Sequence, residues 1–561
     1  MSDTPNMFAL QAQFPMLRVP ANPPPRIAAG ASQVALVASG DSRPSANQNC
    51  WEVQSKAEEA VARVLRERFH IEPVRAHAVK RDEGHGFIAS QREGSDVFAQ
   101  IDPNATVIVL LTAWQYSYHV APSLAQHRGP ILLLANFDGT WPGLVGALNL
   151  AGSLTALGVR YARLWSEKFD DRFFLDKLQE FLTTGYIRHD VSYLRRLEAG
   201  DALLKGEAGN LGRYLGAWVL KNKEIIGYFD SFCMGMINGV FPQKALCDIG
   251  MPMEGLSQSQ LLHEMSLVPQ TLRSQCLDWY LQRGMKFEFG SDPATELTRE
   301  QVLEQCAMLI AMARITQRLG LSCVGVQYQQ GLKDCCAASD FAEGALGSSE
   351  RFPIPDESGK IIRPGEPIPH ANEVDMGSAI PQTMLFRLLH TLGLPAETTL
   401  HDVRWGSEYG GTFYWDFEIS GAVPFEHLKG GIAGATGYRQ PPMYFDKGGA
   451  TIGGQCKAGS FVWARAYYRD TTVHMHIGTG DAVELPQAEW LRRSKATTEV
   501  WPLMNATLHG ITRDQFMAGH QSNHITVAYV DRAHLGFVTR ALTAMAIAQG
   551  MQVELAGTPA L

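Results

Sequence analysis

Between residues 33 and 184 the chain alternates strand-length apolar runs with segments of helical period. QVALVA (33–38), TVIVLL (106–111) and ILLL (131–134) are the runs, and 160–164 reads as a fourth strand. Segments 52–69, 143–157 and 170–184 stand between or after them with apolar residues at helical spacing. Short apolar runs suit strands covered on both faces, and their alternation with helices implies a doubly wound parallel sheet. Ligands of such sheets sit at the carboxyl ends of the strands. Asp41 and Arg43, then Trp114, Gln115 and Tyr116, then Asn136 and Asp138 fall there. These polar and aromatic groups suit a small hydrophilic ligand, or serve only local loop hydrogen bonds.

A second α/β unit starts near residue 222. Segment 224–229 is a strand, SFCMGMING is a turn of small residues, and 298–320 is a long amphipathic helix. Thr298 suits its N-cap, Gln301 completes a capping box, and Glu300 favours the first turn. A strand follows at 322–328 with Gln327 near its end, and a polar loop (334–369) leads to Glu373. After residue 394 the texture becomes β-like, with β-branched and aromatic residues at 398–403, 412–419, 461–468, 473–477 and 482–485 between glycine-rich turns. A helix at 534–549 and a strand at 552–555 close the chain. The expected fold is therefore α/β, with two doubly wound parallel-sheet (Rossmann-like) domains followed by a β-rich α+β C-terminal domain. The expected boundaries are 1–30 for a proline-rich arm, 31–221 and 222–375 for the α/β domains, and 376–561 for the β-rich domain. A chain of 561 residues has the length for several cores.

Several classes of function are disfavoured. A net charge of −8 without a sustained basic run gives no nucleic-acid footprint. No apolar run reaches the ~18–20 residues of a membrane span, and no signal-peptide pattern opens the chain. Nine scattered cysteines without a CxxC pair suggest reduced thiols and a cytoplasmic location.

The stretch 369–405 places Glu373 and Asp402 at the two ends of an apolar helical segment, and SNHITVAY supplies His524. Two carboxylates and an imidazole suit a hard or borderline divalent ion with open positions for substrate oxygens. The alternative is three separately satisfied polar residues. His474 and His476 form an HxH pair on one strand face, expected to be solvated rather than ligating. The glycine-rich 447–455 lacks the ending of a phosphate-binding loop and reads as a tight turn. Gly40-Asp41-Ser42 and Asp531–His534 imitate the blocks of GDSL-type esterases, but they lie too far apart in sequence for that compact family.

The order of motifs resembles the L-fucose isomerase family, whose architecture is shared with L-arabinose isomerases. NFDGTWPGLVGALNLAG, TAWQYS, FCMGMING, VGVQYQQ, SDFAEGALGSS, HANEVDMGSA, LHDVRW, GTGDAVELP, EVWPLMNATL and SNHITVAY follow in that family's order. The resemblance implies an aldose–ketose isomerase acting through a cis-enediol, with Glu373, Asp402 and His524 as ligands of a divalent metal, usually Mn²⁺. It makes Glu373 and Asp402 the acid/base pair and puts Gln327, Met234, Ser420, Trp501 and Asn523 at sugar contacts. It puts Arg43 and Trp114 where a neighbouring subunit reaches in, implying a homo-oligomer, typically a hexamer. The family's glycine-tyrosine turn over the sugar is Gly448-Gly449-Ala450 here, so an aromatic wall is expected to be missing, and an insertion at 352–369 is expected to reshape the entrance. Two further functions share the same site: a metal-dependent sugar lyase or dehydratase, and a non-catalytic sugar-binding protein.

Overall fold

The computed structural model describes residues 25–30, 32–231, 233–329 and 331–558. The expected N-terminal arm lies outside the described residues except for 25–30, where Ile27 bridges Ile101. Strands β1 (Gln33–Val37), β2 (Glu72–Arg75), β3 (Val107–Leu111), β4 (Ile131–Asn136) and β5 (Ala162–Ser166) form a sheet in the order β2-β1-β3-β4-β5, parallel throughout. Helix α1 (Pro44–Phe69) starts well before the expected 52, with proline in its first turn. Helix α2 (Gly143–Ala156) follows β4 and is buried along nearly its whole length. Its small residues let it lie between the sheet and the C-terminal half: a Cβ on Gly146 would meet the Ala113 carbonyl at 2.3 Å, and one on Gly152 the Gln521 carbonyl at 2.4 Å.

Strand β6 (Leu194–Leu197) and helix α3 (Glu207–Asn222) leave this sheet. Next come β7 (Ile226–Phe229), β8 (Met253–Leu256), a two-residue β9 (Lys286–Phe287), helix α4 (Arg299–Leu319) and β10 (Cys323–Val326). Strands β10-β7-β8 make a second, smaller parallel sheet. The capping box at the start of α4 is formed as expected, Thr298 and Gln301 each accepting the other's backbone N–H.

Helix α5 (Met376–Thr391) leads into β11 (Thr399–Tyr409) and β12 (Thr412–Glu418), and β13 (Thr436–Arg439) and β14 (Ala450–Gly453) form a small sheet with β9. Strands β15 (Gly459–Arg469), β16 (Thr472–Val483), β17 (Leu503–Leu508) and β18 (His524–Tyr529) follow, then α6 (Arg532–Ala548) and β19 (Gln552–Ala556). The neighbours β15-β18-β11-β12-β17-β16 are antiparallel, and β15 pairs again with β16, so six strands close into a barrel. Closure was not expected from the β texture, and the two strands expected at 473–477 and 482–485 are one continuous strand, β16. Alternate residues of β15 feed two cores. Phe461 and Trp463 join one, while Val462, Ala464 and Ala466 join the other with the apolar faces of α5 and α6. Strand β19 adds to β16 and pairs with β6, and Gly212 and Gly216 let α3 pack on α6. Among the described residues no helix is long and apolar enough to cross a membrane.

Candidate metal and substrate site

Both parallel sheets point their carboxyl ends at one small cavity of about 120 Å³, and the barrel supplies the opposite wall. Arg43 follows β1, Trp114 follows β3, Trp141 precedes α2, Met234 follows β7 and Gln329 follows β10. Facing them are Glu373, Asp402 and Arg404, Ser420, the run 443–445, Thr497, Thr498 and Trp501.

The two carboxylates and the imidazole meet. Asp402 and His524 are direct cross-strand partners in the β11–β18 register, which brings His524 Nε2 to 3.1 Å from Asp402 Oδ1. Glu373 arrives from the turn before α5 with a left-handed backbone, φ 58°, followed by Val374 with the same φ. Such backbone in non-glycine residues costs about 1–3 kcal/mol and gathers at sites that must place a side chain. Glu373 Oε2 lies 4.0 Å from His524 Nε2.

Asp375, absent from the sequence expectations, organises this group. It caps α5 through Gly377 N at 2.9 Å, accepts His524 Nδ1 at 2.6 Å and accepts the Arg465 guanidinium. Burial alone would raise its carboxyl, but Arg465 and His524 hold it well below the usual range. A second anchor joins Ser378 Oγ to Thr526 Oγ1 at 2.6 Å, pinning α5 to β18 two residues from His524. The signal for Asp375 was present as an aspartate at an N-cap position two residues past Glu373.

The electrostatics follow from burial. Desolvation, with Asp402 nearby, raises Glu373 to about 8 despite the opposing pull of His524. Desolvation works against an imidazolium at His524, but Asp402 and Asp375 outweigh it and raise it to about 10.

The donor set fits a divalent ion. Ligand atoms ~2.0–2.2 Å from one ion stand roughly 3 Å apart, which matches the Asp402–His524 spacing; Glu373 stands about 1 Å outside that distance. Among the described residues no three His, Cys, Asp or Glu side chains are already drawn together to hold a metal. With Nδ1 fixed on a buried carboxylate, the imidazole offers Nε2 outward, the arrangement that orients metal-ligating histidines.

Around this group, Asn523 donates to Asp402 Oδ1 at 3.4 Å and accepts from Asn238 at the same distance. Ser420 Oγ donates to Asp340 Oδ1 at 2.9 Å, and burial lifts Asp340 to about 7. Trp501 Nε1 donates to Gln440 Oε1 at 2.7 Å. Trp114 Nε1 is a buried donor with no hydrogen-bond partner among the described residues. Arg43 is fixed by Asp41 through Nε (2.9 Å) and Nη2 (2.6 Å) and by Gln329 (2.6 Å), and it lies over the Tyr444 ring at 4.7 Å. Arg404 faces Glu418 at 3.2 Å, both buried.

Several placements differ from the sequence expectations. Gln327 is buried behind the wall, its Oε1 accepting from Gln329 N at 2.9 Å, so Gln329 lines the cavity in its place. The aromatic wall is not missing: Tyr444, in the turn before Gly448, stacks on Trp501 with centroids 6.4 Å apart. Arg43 and Trp114 line the cavity of the chain that carries Glu373, where α2 packs the first sheet onto the same chain's barrel. The insertion 352–369 contributes nothing to the lining and packs on α4, where Arg314 Nε donates to the Pro355 carbonyl at 3.0 Å. His474 and His476 are buried rather than solvated, and His476 Nε2 lies 3.0 Å from Glu554.

No family model and no curated protein matches the chain.

Proposed function

We propose that this chain is a metal-dependent aldose–ketose isomerase acting on a free sugar through a cis-enediol. One observation carries the reading: Glu373 and Asp402 face one cavity, with His524 Nε2 4.0 and 3.1 Å from them respectively and its other nitrogen held by Asp375. The order of motifs that resembles the L-fucose isomerase family supports it.

Moving a carbonyl from C1 to C2 requires a proton to leave the carbon beside it and return to its neighbour. A bound Mn²⁺ or similar ion, held by Glu373, Asp402 and His524, supplies Lewis-acid polarisation of the carbonyl. The chain's own groups do the rest. Glu373 is the proton carrier, because at 4.0 Å from His524 Nε2 it lies outside hydrogen-bond reach of the imidazole while Asp402 is tied to it. Asp402 is the fixed member, tied by His524 and Asn523. Trp114 Nε1 is free to donate to a sugar oxygen, and Trp501 with Tyr444 offers an apolar wall to the sugar's carbon face. The fixed charge of Arg43 favours negative charge developing in the cavity.

The deciding experiment chelates the protein, restores Mn²⁺ and follows a panel of aldoses, including L-fucose and D-arabinose, by NMR in D₂O. Interconversion with deuterium entering at C1 or C2 is expected, and Glu373→Gln should lower it by about 10²–10⁴-fold. Full turnover in that variant would sink the assignment. Fragments or dehydrated products would point to a lyase, and binding without exchange to a sugar-binding protein.

A further inference from the structure

A second cleft, of about 720 Å³, opens where β5, the edge strand of the first sheet, meets the barrel. It shares no lining residue with the cavity of Glu373. Arg160, Arg163, Arg188 and Arg469 line it, and Glu554 is the one acid among the lining residues. Glu554 is already engaged, accepting from Tyr467 Oη at 2.8 Å and facing His476 Nε2 at 3.0 Å. Arg163 is engaged too, donating to the carbonyls of Met517 and His520 at 3.2 and 2.6 Å.

The other three guanidinium groups are largely unspent. Among the described residues Arg160 and Arg188 have no side-chain hydrogen bond or ion pair. Arg469 Nη2 lies 3.4 Å from His474 Nδ1, its Nε reaches the exposed Asp470 only at 3.6 Å, and that Nε is buried with no hydrogen-bond partner among the described residues. Three arginines of the cleft lie over tyrosines: Arg160 over Tyr186 at 5.0 Å, Arg163 over Tyr161 at 5.5 Å and Arg469 over Tyr467 at 5.6 Å. A guanidinium held over a ring has a settled position without spending its in-plane N–H donors. Two of the lining residues, Tyr186 and Val191, are large apolar side chains left 42% and 45% exposed.

We propose that this cleft is a second ligand site, taking a ring-bearing organic phosphate. Its unspent cations outnumber what one carboxylate would neutralise, whereas a phosphate monoester carries about −1.5 to −2 charges and three strong acceptor oxygens. The exposed apolar face of Tyr186 and Val191 gives the ring its seat. The site is independent of the isomerase reading.

Calorimetric titration of the full-length protein at fixed ionic strength, with phenyl phosphate and with inorganic phosphate, tests this. Saturable binding of both is expected, tighter for phenyl phosphate. Arg160→Glu with Arg188→Glu should weaken both by at least about tenfold. Both side chains are exposed, so the thermal transition should be unchanged. Tyr186→Ala should weaken phenyl phosphate alone, and Glu373→Gln should alter neither. The proposal is overturned by absence of saturable phenyl phosphate binding, by binding indifferent to the arginine changes, or by binding lost in Glu373→Gln. Should the double variant fail to fold, Arg188→Gln and Tyr186→Ala decide the question separately for charge and ring.

Discussion

At the scale of single residues, Asp375 sets the state of the imidazole on which the site turns. It holds His524 Nδ1 at 2.6 Å and neutralises Arg465 at the same time, with all three side chains buried. Asp375→Asn is expected to weaken Mn²⁺ binding by about 10–100-fold, as loss of an outer-shell partner does. It should also lower the melting temperature, because Arg465 loses its counter-charge; calorimetric titration and thermal denaturation read the two effects. The pH dependence follows from the raised groups. Below about 8 Glu373 holds a proton, and below about 10 His524 does, so protons compete with a cation for both. Mn²⁺ affinity is expected to rise with pH across neutrality, with protons released on binding. Titration in buffers of different ionisation enthalpy measures that release, and an affinity flat with pH would contradict both shifts. In the metal-free protein the raised Glu373 works against folding increasingly as pH climbs from about 4.5 to about 8, because only the folded state resists its ionisation.

At the scale of elements, strand register and one helix surface decide whether the ligands meet. Asp402 faces His524 only because β11 and β18 pair Thr399 with Val527 and continue in step to Asp402 and His524. A one-residue slip would turn Asp402 to the other face. Helix α2 matters as a spacer. Gly152 rests on the Gln521 carbonyl, three residues before His524, and Asn238 closes the same spot. Gly152→Ala puts a Cβ 2.4 Å from that carbonyl, so backbone must move. The expected outcome is a loss of about 1–3 kcal/mol in stability, read by chemical denaturation, with Mn²⁺ affinity falling as the 521–524 backbone shifts. Unchanged stability would show that α2 is not clamped there. The capping box of α4 was legible from Thr298 and Gln301 because it is local chemistry, contained within one turn.

At the scale of the whole molecule, the cavity draws on both parallel sheets and the barrel of a single chain. This bears on assembly. If Arg43 and Glu373 serve the same cavity within one chain, mixing inactive Arg43→Ala with inactive Glu373→Gln restores nothing. Recovery of activity on mixing and reassembly would mean that the first sheet of one copy serves the barrel of another. Burial at this scale also explains the electrostatics, since no single segment removes Glu373 or His524 from water; sheets, barrel and α5 do so together.

The alternation of apolar runs and helical segments was enough to imply the first parallel sheet, because each run buries both faces locally and leaves its period in the residues. Glu373 and Asp402 were legible as acids at the two ends of an apolar helical segment, His524 by its place in the order of motifs, and Arg43 and Trp114 by their proximity to strand ends. Barrel closure was not, since the β15–β16 hairpin looks alike in an open sheet and a closed one until β18 and β17 take the outer edges. Nor was Asp375, whose part depends on a histidine 149 residues away in sequence, nor the aromatic wall that Tyr444 supplies where 448–450 implied none. Sequence carries what a residue can do and which face of its element it occupies. Which residues share a cavity is decided by long-range packing, where register and helix-to-barrel contact bring together groups that no local pattern links.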